Sequence, residues 1–300
     1  MKILLKTITM LAAAILFGGY LGRFIDLGDS LAVFRLQAAL LLATGAAVLL
    51  SWRVGPRYVV VGALILGAGV TVQIAVGYRG PPVPALNGSE MTLYQKNLLA
   101  RAWPRYGLAD DILATNADVV TLQEVSPHNL RFMAKLFDGY ATQLFCDSFT
   151  KGQVAILTRF EPVQGGGRCF SDLGLALMQV KDTAGRVIWL ASLHMDWPYP
   201  KEQGAQARGV AAVLENLDGP VVLGGDFNMV PWGWSIARIA RAAKTTRLGP
   251  YIASLPMFGP LAPLPIDHVL VPKGATGTTR ARPLMGSDHL GILATFRLGD

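Results

Sequence analysis

The sequence predicts a four-layer α/β sandwich, two packed mixed sheets flanked by helices, preceded by an N-terminal bundle of about three transmembrane helices. Three observations predict it. Residues 1–80 contain three long runs without a charge, the remainder breaks into short Val/Ile/Leu-rich segments, and those segments alternate with stretches of helical texture.

The charge-free runs hold 16 residues between Lys6 and Arg23, 17 between Arg35 and Arg53, and 21 between Arg57 and Arg79. Each approaches the ~20 residues that cross a hydrocarbon core, so residues 1–78 read as a membrane anchor. A signal peptide is the competing reading of the first run, because Lys2 and Lys6 precede its apolar core. The two later runs anchor the chain under either reading. Orientation follows from the basic residues near the spans, Lys2, Lys6, Arg53 and Arg57 on one side against Arg23, Arg35 and Arg79 on the other. The larger group belongs in the cytoplasm. Three crossings then make this a multi-pass protein of the cytoplasmic membrane with residues 91–300 on the periplasmic, extracytoplasmic side. Residues 79–90 are rich in Pro and Gly and read as a linker.

In residues 91–300, ADVVTLQEV, QVAILT, RVIWLASLHM, PVVLGGDFN, IDHVLV and GILATF read as strands. NLLARAWPRYGLADDILA, SPHNLRFMAKLF, KEQGAQARGVAAVLENL and GWSIARIARAA read as helices, two of them entered through Ser or Pro. The two cysteines, Cys146 and Cys169, flank QVAILT. They are either a disulfide across a hairpin, which suits an oxidising compartment, or a pair of buried thiols. The net charge of +7 is no nucleic-acid footprint, because residues 1–90 hold 7 basic and 3 acidic residues and leave only +3 to the rest.

Polar residues interrupt the strands at their ends. Glu124 ends VVTLQ, His194 ends IWLASL, Asp226 and Asn228 end VVLGG, Asp267 and His268 follow PLPI, and Asp288 and His289 precede GILATF. One acid at a strand end is ordinary turn chemistry. Several from different strands point to a shared centre, and converging carboxylates need a cation to offset their repulsion.

In this order the blocks YQKN, LQEV, SLHMDW, GGDFN, PIDHV and GSDH resemble the endonuclease/exonuclease/phosphatase superfamily of metal-dependent phosphoesterases. The resemblance covers roughly residues 91–300. It implies Glu124 as principal ligand of Mg²⁺, with Mn²⁺ as the alternative, Asn97 beside it and Asp288 contributing. It implies Asp226 as the group that orients or deprotonates the attacking water, with Asn228 holding that water or a phosphate oxygen. His289 would contact the phosphate, held by Asp267, and His194 would make a second contact or act near the leaving group. His268, His128 and Asp118 fall outside the scheme as structural residues, Asp118 at a strand entry.

The resemblance fixes the reaction better than the substrate. Between GDFN and IDHV lie Trp232, Trp234, Met257 and Phe258, and a basic row of Arg238, Arg241, Lys244 and Arg247. Either these form an interfacial surface meeting a lipid headgroup or pyrophosphate, or the row is a solvated helix face over a Trp-filled core. The anchor and the low charge favour a membrane-associated phosphate as substrate and the bilayer as partner, with an extracytoplasmic nuclease second. An inactive tethered binding module is third, since every catalytic position is filled.

Overall fold

A computed structural model describes residues 1–81, 90–101, 107–131, 133–257 and 262–299. Most of the expected linker, and Phe258, lie outside the described residues. The N-terminal part is helical: α1 (Lys2–Gly18), a 3₁₀ turn (Leu21–Arg23), α2 (Leu27–Val33), α3 (Arg35–Ser51) and α4 (Arg57–Arg79). Then come β1 (Met91–Asn97), α5 (Leu108–Ala114), β2 (Val119–Val125), α6 (Pro127–Leu130), α7 (Ala134–Asp138), β3 (Thr142–Asp147), β4 (Gln153–Thr158), β5 (Glu161–Phe170), β6 (Leu175–Lys181) and β7 (Val187–His194). The chain continues through α8 (Gln203–Glu215), β8 (Val221–Asp226), α9 (Trp234–Ala242), β9 (Thr245–Arg247), β10 (Leu255–Met257), β11 (Ala262–Leu264), β12 (Asp267–Pro272), β13 (Thr276–Arg282) and β14 (Gly291–Arg297).

Two six-stranded mixed sheets pack face to face, in the orders β13-β14-β1-β2-β4-β3 and β5-β6-β7-β8-β12-β9. Each has one parallel pair near its middle, β1 with β2 and β7 with β8, and the chain connects each pair through a helix. Between the sheets lie Leu93, Ile156, Leu190, Val222 and Ile292. One outer face carries Ile112 and Leu136 of α5 and α7, and the other carries Val210, Leu214 and Ile239 of α8 and α9. This is the expected two-sheet sandwich flanked by helices. Strands that are apolar on both faces, such as the fully buried β2 and β8, are what covered sheets require. The first glycine of VVLGGD has a steric reason, since a Cβ on Gly224 would stand 2.3 Å from Thr121 Oγ1 of the facing sheet.

The cysteines are paired, but differently from the hairpin reading. Cys146 on β3 bonds Cys169 on β5, with 5.4 Å between Cα atoms, and so cross-links the edges of the two sheets. The strand between them belongs to the β3 sheet, which made the pair look local in sequence.

The expectation of three separate spans is corrected. Among the described residues, α4 is the one helix long and apolar enough to cross a membrane, and only 22% of that stretch is buried in the protein. Helices α2 and α3 would make a second span only together, bent by 64°. Helix α1 has 17 residues, since the charge-free run outlasts its helix, which stops at Gly18 before a 3₁₀ turn. Charge-free length is not helix length.

Nor do the N-terminal helices hang free of the sandwich. Asp29 of α2 accepts hydrogen bonds from Trp234 N (2.6 Å), Ser235 N (2.9 Å) and Ser235 Oγ (2.5 Å), capping α9 from outside its own segment. Arg35 donates to Gly19 O and Trp232 O, Trp232 Nε1 donates to Ala32 O, and Tyr251 N donates to Gly77 O at the end of α4. A Cβ on Gly28 would collide with the backbone of Leu21 and Gly22, so the 3₁₀ turn and α2 approach as closely as backbone permits.

Candidate active site

The register of the second sheet explains why three chemical residues meet. His194 at the end of β7 pairs with Asp226 at the end of β8, and Asp226 pairs with Asp267 at the start of β12. Strands ~4.8 Å apart therefore carry a row of three polar side chains. In the other sheet β1 ends at Asn97, paired with Gln123, and Glu124 follows where the β2–β4 register shifts. Strict alternation would aim Glu124 away from the face Gln123 uses. A φ of +54° and the irregularity turn it towards the cleft, a strained geometry of the kind stored at working sites.

A cleft of about 470 Å³ receives Glu124, His194, Asp226, Asn228, Asp288 and His289. Asp226 is almost wholly buried, and its Oδ2 accepts from Asn97 Nδ2 at 2.8 Å while Oδ1 accepts from Asn228 N at 2.9 Å. Burial raises its carboxyl to about 7, with Asp267 adding to the rise and the His289 charge opposing it. Asn228, at φ +46°, donates one amide hydrogen to Met195 O at 2.7 Å. The geometry of NH₂ leaves its second hydrogen aimed elsewhere.

The two histidines are driven apart in charge. His289 Nδ1 lies 2.7 Å from Asp267 Oδ2, and although burial works against its charge, Asp267 and Asp226 raise it to about 10. It is an imidazolium. Burial lowers His194 to about 4 despite Glu124, so it is neutral. Its Nδ1 meets Thr150 Oγ1 at 2.8 Å, while Nε2 faces Asp226 at 3.7 Å and Glu124 at 3.9 Å. With Thr150 donating, the proton sits on Nε2.

Glu124 Oε2 accepts from Ala100 N at 2.9 Å, while Oε1 has a long 3.4 Å contact with Asn97 Nδ2 and lies 3.9 Å from His194 Nε2. Together with half-exposed Asp288, this is an oxygen-rich set opening on one space, and it fits a hard divalent cation. Asn97, expected beside the metal, turns its nitrogen to the carboxylates while its Oδ1 accepts from Leu99 N at 2.8 Å. It spaces Asp226 and Glu124. Asp226, Asp267 and His289 also lie close enough to hold an ion. A doubly protonated imidazole has no lone pair to give, so the Asp267–His289 bond argues for Glu124 instead.

The remaining candidates separate cleanly. His268 is buried, contacts Met229 O at 2.8 Å, and is lowered to about 4 by burial, a structural residue as expected. Asp118 binds Thr92 N and Oγ1 at the strand entry. Trp232, Trp234, Arg238 and Arg241 do not line the cleft. The tryptophans face the N-terminal helices, Arg241 stacks 5.0 Å over Trp234, and Arg247 donates to three loop carbonyls. Besides the His289 imidazolium, the cations lining the cleft among the described residues are Lys151 and Lys201, which no motif signalled.

Supporting residues were likewise missed. Buried Lys96 donates to the carbonyls of Pro283 (3.0 Å), Leu284 (2.9 Å) and His289 (2.5 Å), fastening the His289 segment to β1. Gln95 Nε2 binds Asp267 Oδ1 at 2.9 Å, and Ser287 Oγ bonds Asn97 O at 2.7 Å. Both flank motif residues, a position that is a weak signal at best.

Residues 97–289 match the model of the endonuclease/exonuclease/phosphatase family. The fold is similar to that of an endonuclease/exonuclease/phosphatase from Beutenbergia cavernae, at 18% identity and TM-score 0.56, covering 70% of this chain and 72% of that one. A protein of the same description from Bacteroides vulgatus is 15% identical with TM-score 0.56, covering 70% of this chain and 100% of that one. A mannosyl-6-phosphatase from Bacteroides thetaiotaomicron is 15% identical with TM-score 0.50, covering 69% and 100%. No curated protein matches the chain. At these identities the structural likeness speaks for the fold, and the family match for the motif residues.

Proposed function

Because the chain belongs to the endonuclease/exonuclease/phosphatase family, whose members act on phosphoesters with divalent metals, we propose that it is a Mg²⁺-dependent phosphoester hydrolase. Its substrate on this reading is a membrane-associated phosphate, such as a lipid phosphate or lipid-linked pyrophosphate, outside the cytoplasmic membrane. One observation carries the membrane part. The catalytic cleft lies beside a helical layer whose outward residues, including Ile3, Met10, Phe17, Leu41, Ile65 and Val72, are large, apolar and exposed. Water is a poor partner for such a surface.

The charges support the same orientation. Lys2, Lys6, Arg53 and Arg57 sit at the helix ends opposite those that meet the sandwich at Arg35 and Gly77, the side that this reading assigns to the cytoplasm. At the near end Arg35 is bonded to backbone and Arg23 stacks 5.6 Å from the Trp234 ring. A disulfide between the sheets suits an oxidising compartment.

In the reaction, water attacks phosphorus and its proton passes to Asp226, whose carboxylate is held by Asn97 and Asn228. Asn228 offers its remaining amide hydrogen to the water or a phosphoryl oxygen. The His289 imidazolium, fixed by Asp267, donates from Nε2 to the phosphate as charge grows. Neutral His194 holds a second oxygen from Nε2, and the P–O bond opposite the water breaks with the leaving oxygen keeping the bonding pair and taking a proton from solvent. Glu124, with Asp288, would hold the Mg²⁺, which would supply Lewis-acid stabilisation of the phosphoryl oxygens. A nuclease is the second reading, and the net charge of +3 on the catalytic part gives it little electrostatic hold on a duplex.

The test is a substrate panel of lipid phosphates, lipid pyrophosphates, phospholipids and DNA, with full-length protein and with Mg²⁺ or EDTA. Metal-dependent release from the lipid arm is expected. Turnover of DNA alone would reject the lipid reading and keep the hydrolase.

A further inference from the structure

Beside the catalytic cleft lies a second cavity of about 430 Å³. Its near wall is the corner between α2 and α3, with Val33 and Phe34, and its far wall includes Tyr199, Met257 and Leu264 of the sandwich. Two residues, Trp197 and Lys201, line both spaces, so the groove and the cleft adjoin across these two side chains. Among the described residues lining the groove Lys201 is the one that is charged, and it stands at the border. Beyond the corner, Leu40 and Leu41 on α3 extend the exposed apolar surface along the bundle.

From this we infer that the groove binds the hydrocarbon chain of an amphiphilic substrate whose phosphate lies in the cleft. The inference rests on the phosphoester reading above and adds where the tail goes. An apolar trough with a lysine at its border and a polar cleft beyond that border matches the order of groups in an alkyl or isoprenyl phosphate. The seam holds the trough in shape. Asp29 caps α9, and Ser30 Oγ donates to Tyr199 O at 2.7 Å, pinning the corner to the loop that forms the opposite wall. Neither domain has this site alone.

The reading explains the bend at Phe34. With the 64° bend, α2 presents Asp29 to α9 while Phe34, 56% exposed, lines the groove. An aromatic ring at the mouth of an apolar groove offers a chain of methylenes a surface to bury against.

The experiment uses full-length protein in lipid nanodiscs, since detergent tails would compete. It compares matched ethyl and dodecyl phosphoesters of the class the panel identifies, and photolabels with a diazirine-bearing dodecyl phosphate. Wild type should favour the dodecyl ester in kcat/KM by about tenfold or more, as burial of several methylenes allows. Phe34→Ser, which removes a wall, and Gln37→Trp, which fills the space, should each bring the dodecyl-to-ethyl ratio towards one. Label should map to Phe34, Tyr199 or their neighbours. An unchanged ratio in both variants, label confined to the outer faces of α1 and α4, or a peptide displacing the label in preference to alkyl phosphate overturns the inference. If no phosphoester is turned over, the reading of the cleft fails instead, and the photolabel alone still decides the groove.

Discussion

Two polar clusters bracket one short piece of chain. Asp226 and Asn228 look into the cleft, and six residues after Asn228, Trp234 and Ser235 look into the seam with the N-terminal helices. Both clusters centre on a buried aspartate, and they differ in how it is used. Asp29 in the seam accepts three short hydrogen bonds from one helix end, an arrangement that holds two elements together. Asp226 accepts one from a side chain and one from backbone, then faces two histidines at 3.7 and 3.8 Å. Structural acids have their partners in hand, whereas a working acid keeps an oxygen near groups that change protonation.

The largest break in this comparison is Asp226→Ala. Loss of a positioned base should lower kcat by about 10³-fold, with the thermal midpoint held or raised because a buried carboxylate is removed. The pH profile sharpens the same point. Asp226 must be ionised, so the rate should rise through about pH 7, and His289 must stay protonated, so it should fall as pH approaches 10. In Asp226→Asn the rising limb near 7 should vanish from whatever activity is left. A retained limb would assign the base to another group.

The sequence showed the cleft far better than the seam. Asp226, Asn228, His194, Asp267, His289 and Glu124 were each legible as polar residues at strand ends, because a sheet brings strand ends together whatever the loops do. PWGWS was as conspicuous as GDFN, and Asp29 stood in a segment that reads as a loop between spans. Joining the two needs a contact across 205 residues, which neither periodicity nor spacing encodes. Hence Trp232, Trp234 and Arg241 read as substrate contacts. Lys96 was invisible for a similar reason, since its three carbonyl partners carry no side-chain signature.

The disulfide supplies a control that touches neither cluster. It closes a loop of 23 residues between β3 and β5, and the double variant Cys146→Ala/Cys169→Ala should lose about 3 kcal/mol of stability. Denaturant unfolding measures it. Below the transition, kcat should stay near wild type, because the cleft is built by the central strands. A proportionate loss of kcat would mean that the sheet edges position the site.

Smaller is the effect of Asp29→Ala. Removing a buried cap that serves three donors should cost about 2 kcal/mol, expressed as faster hydrogen exchange at the start of α9 and in α2. The contrast with Asp226 is the sign of the two readouts: activity on a water-soluble phosphoester should persist while the seam loosens. If exchange stays slow, the other contacts, from Trp232 to Ala32 and from Tyr251 to Gly77, carry the seam without it.

Smallest is Arg241→Ala, and it divides the two clusters most directly. Stacked 5.0 Å from the centre of the Trp234 ring, Arg241 contributes a cation–π contact worth roughly 0.5–1 kcal/mol. Arg23, 5.6 Å from the same ring, comes from the N-terminal helices, so Trp234 is held by a cation from each side of the seam. On that basis the variant should lower the thermal midpoint slightly and leave KM for the phosphoester where it was. A substrate-binding arginine behaves in the opposite way, with KM rising and stability unmoved. Measuring both on one preparation separates a residue that binds phosphate from one that fastens the N-terminal helices to the two-sheet domain.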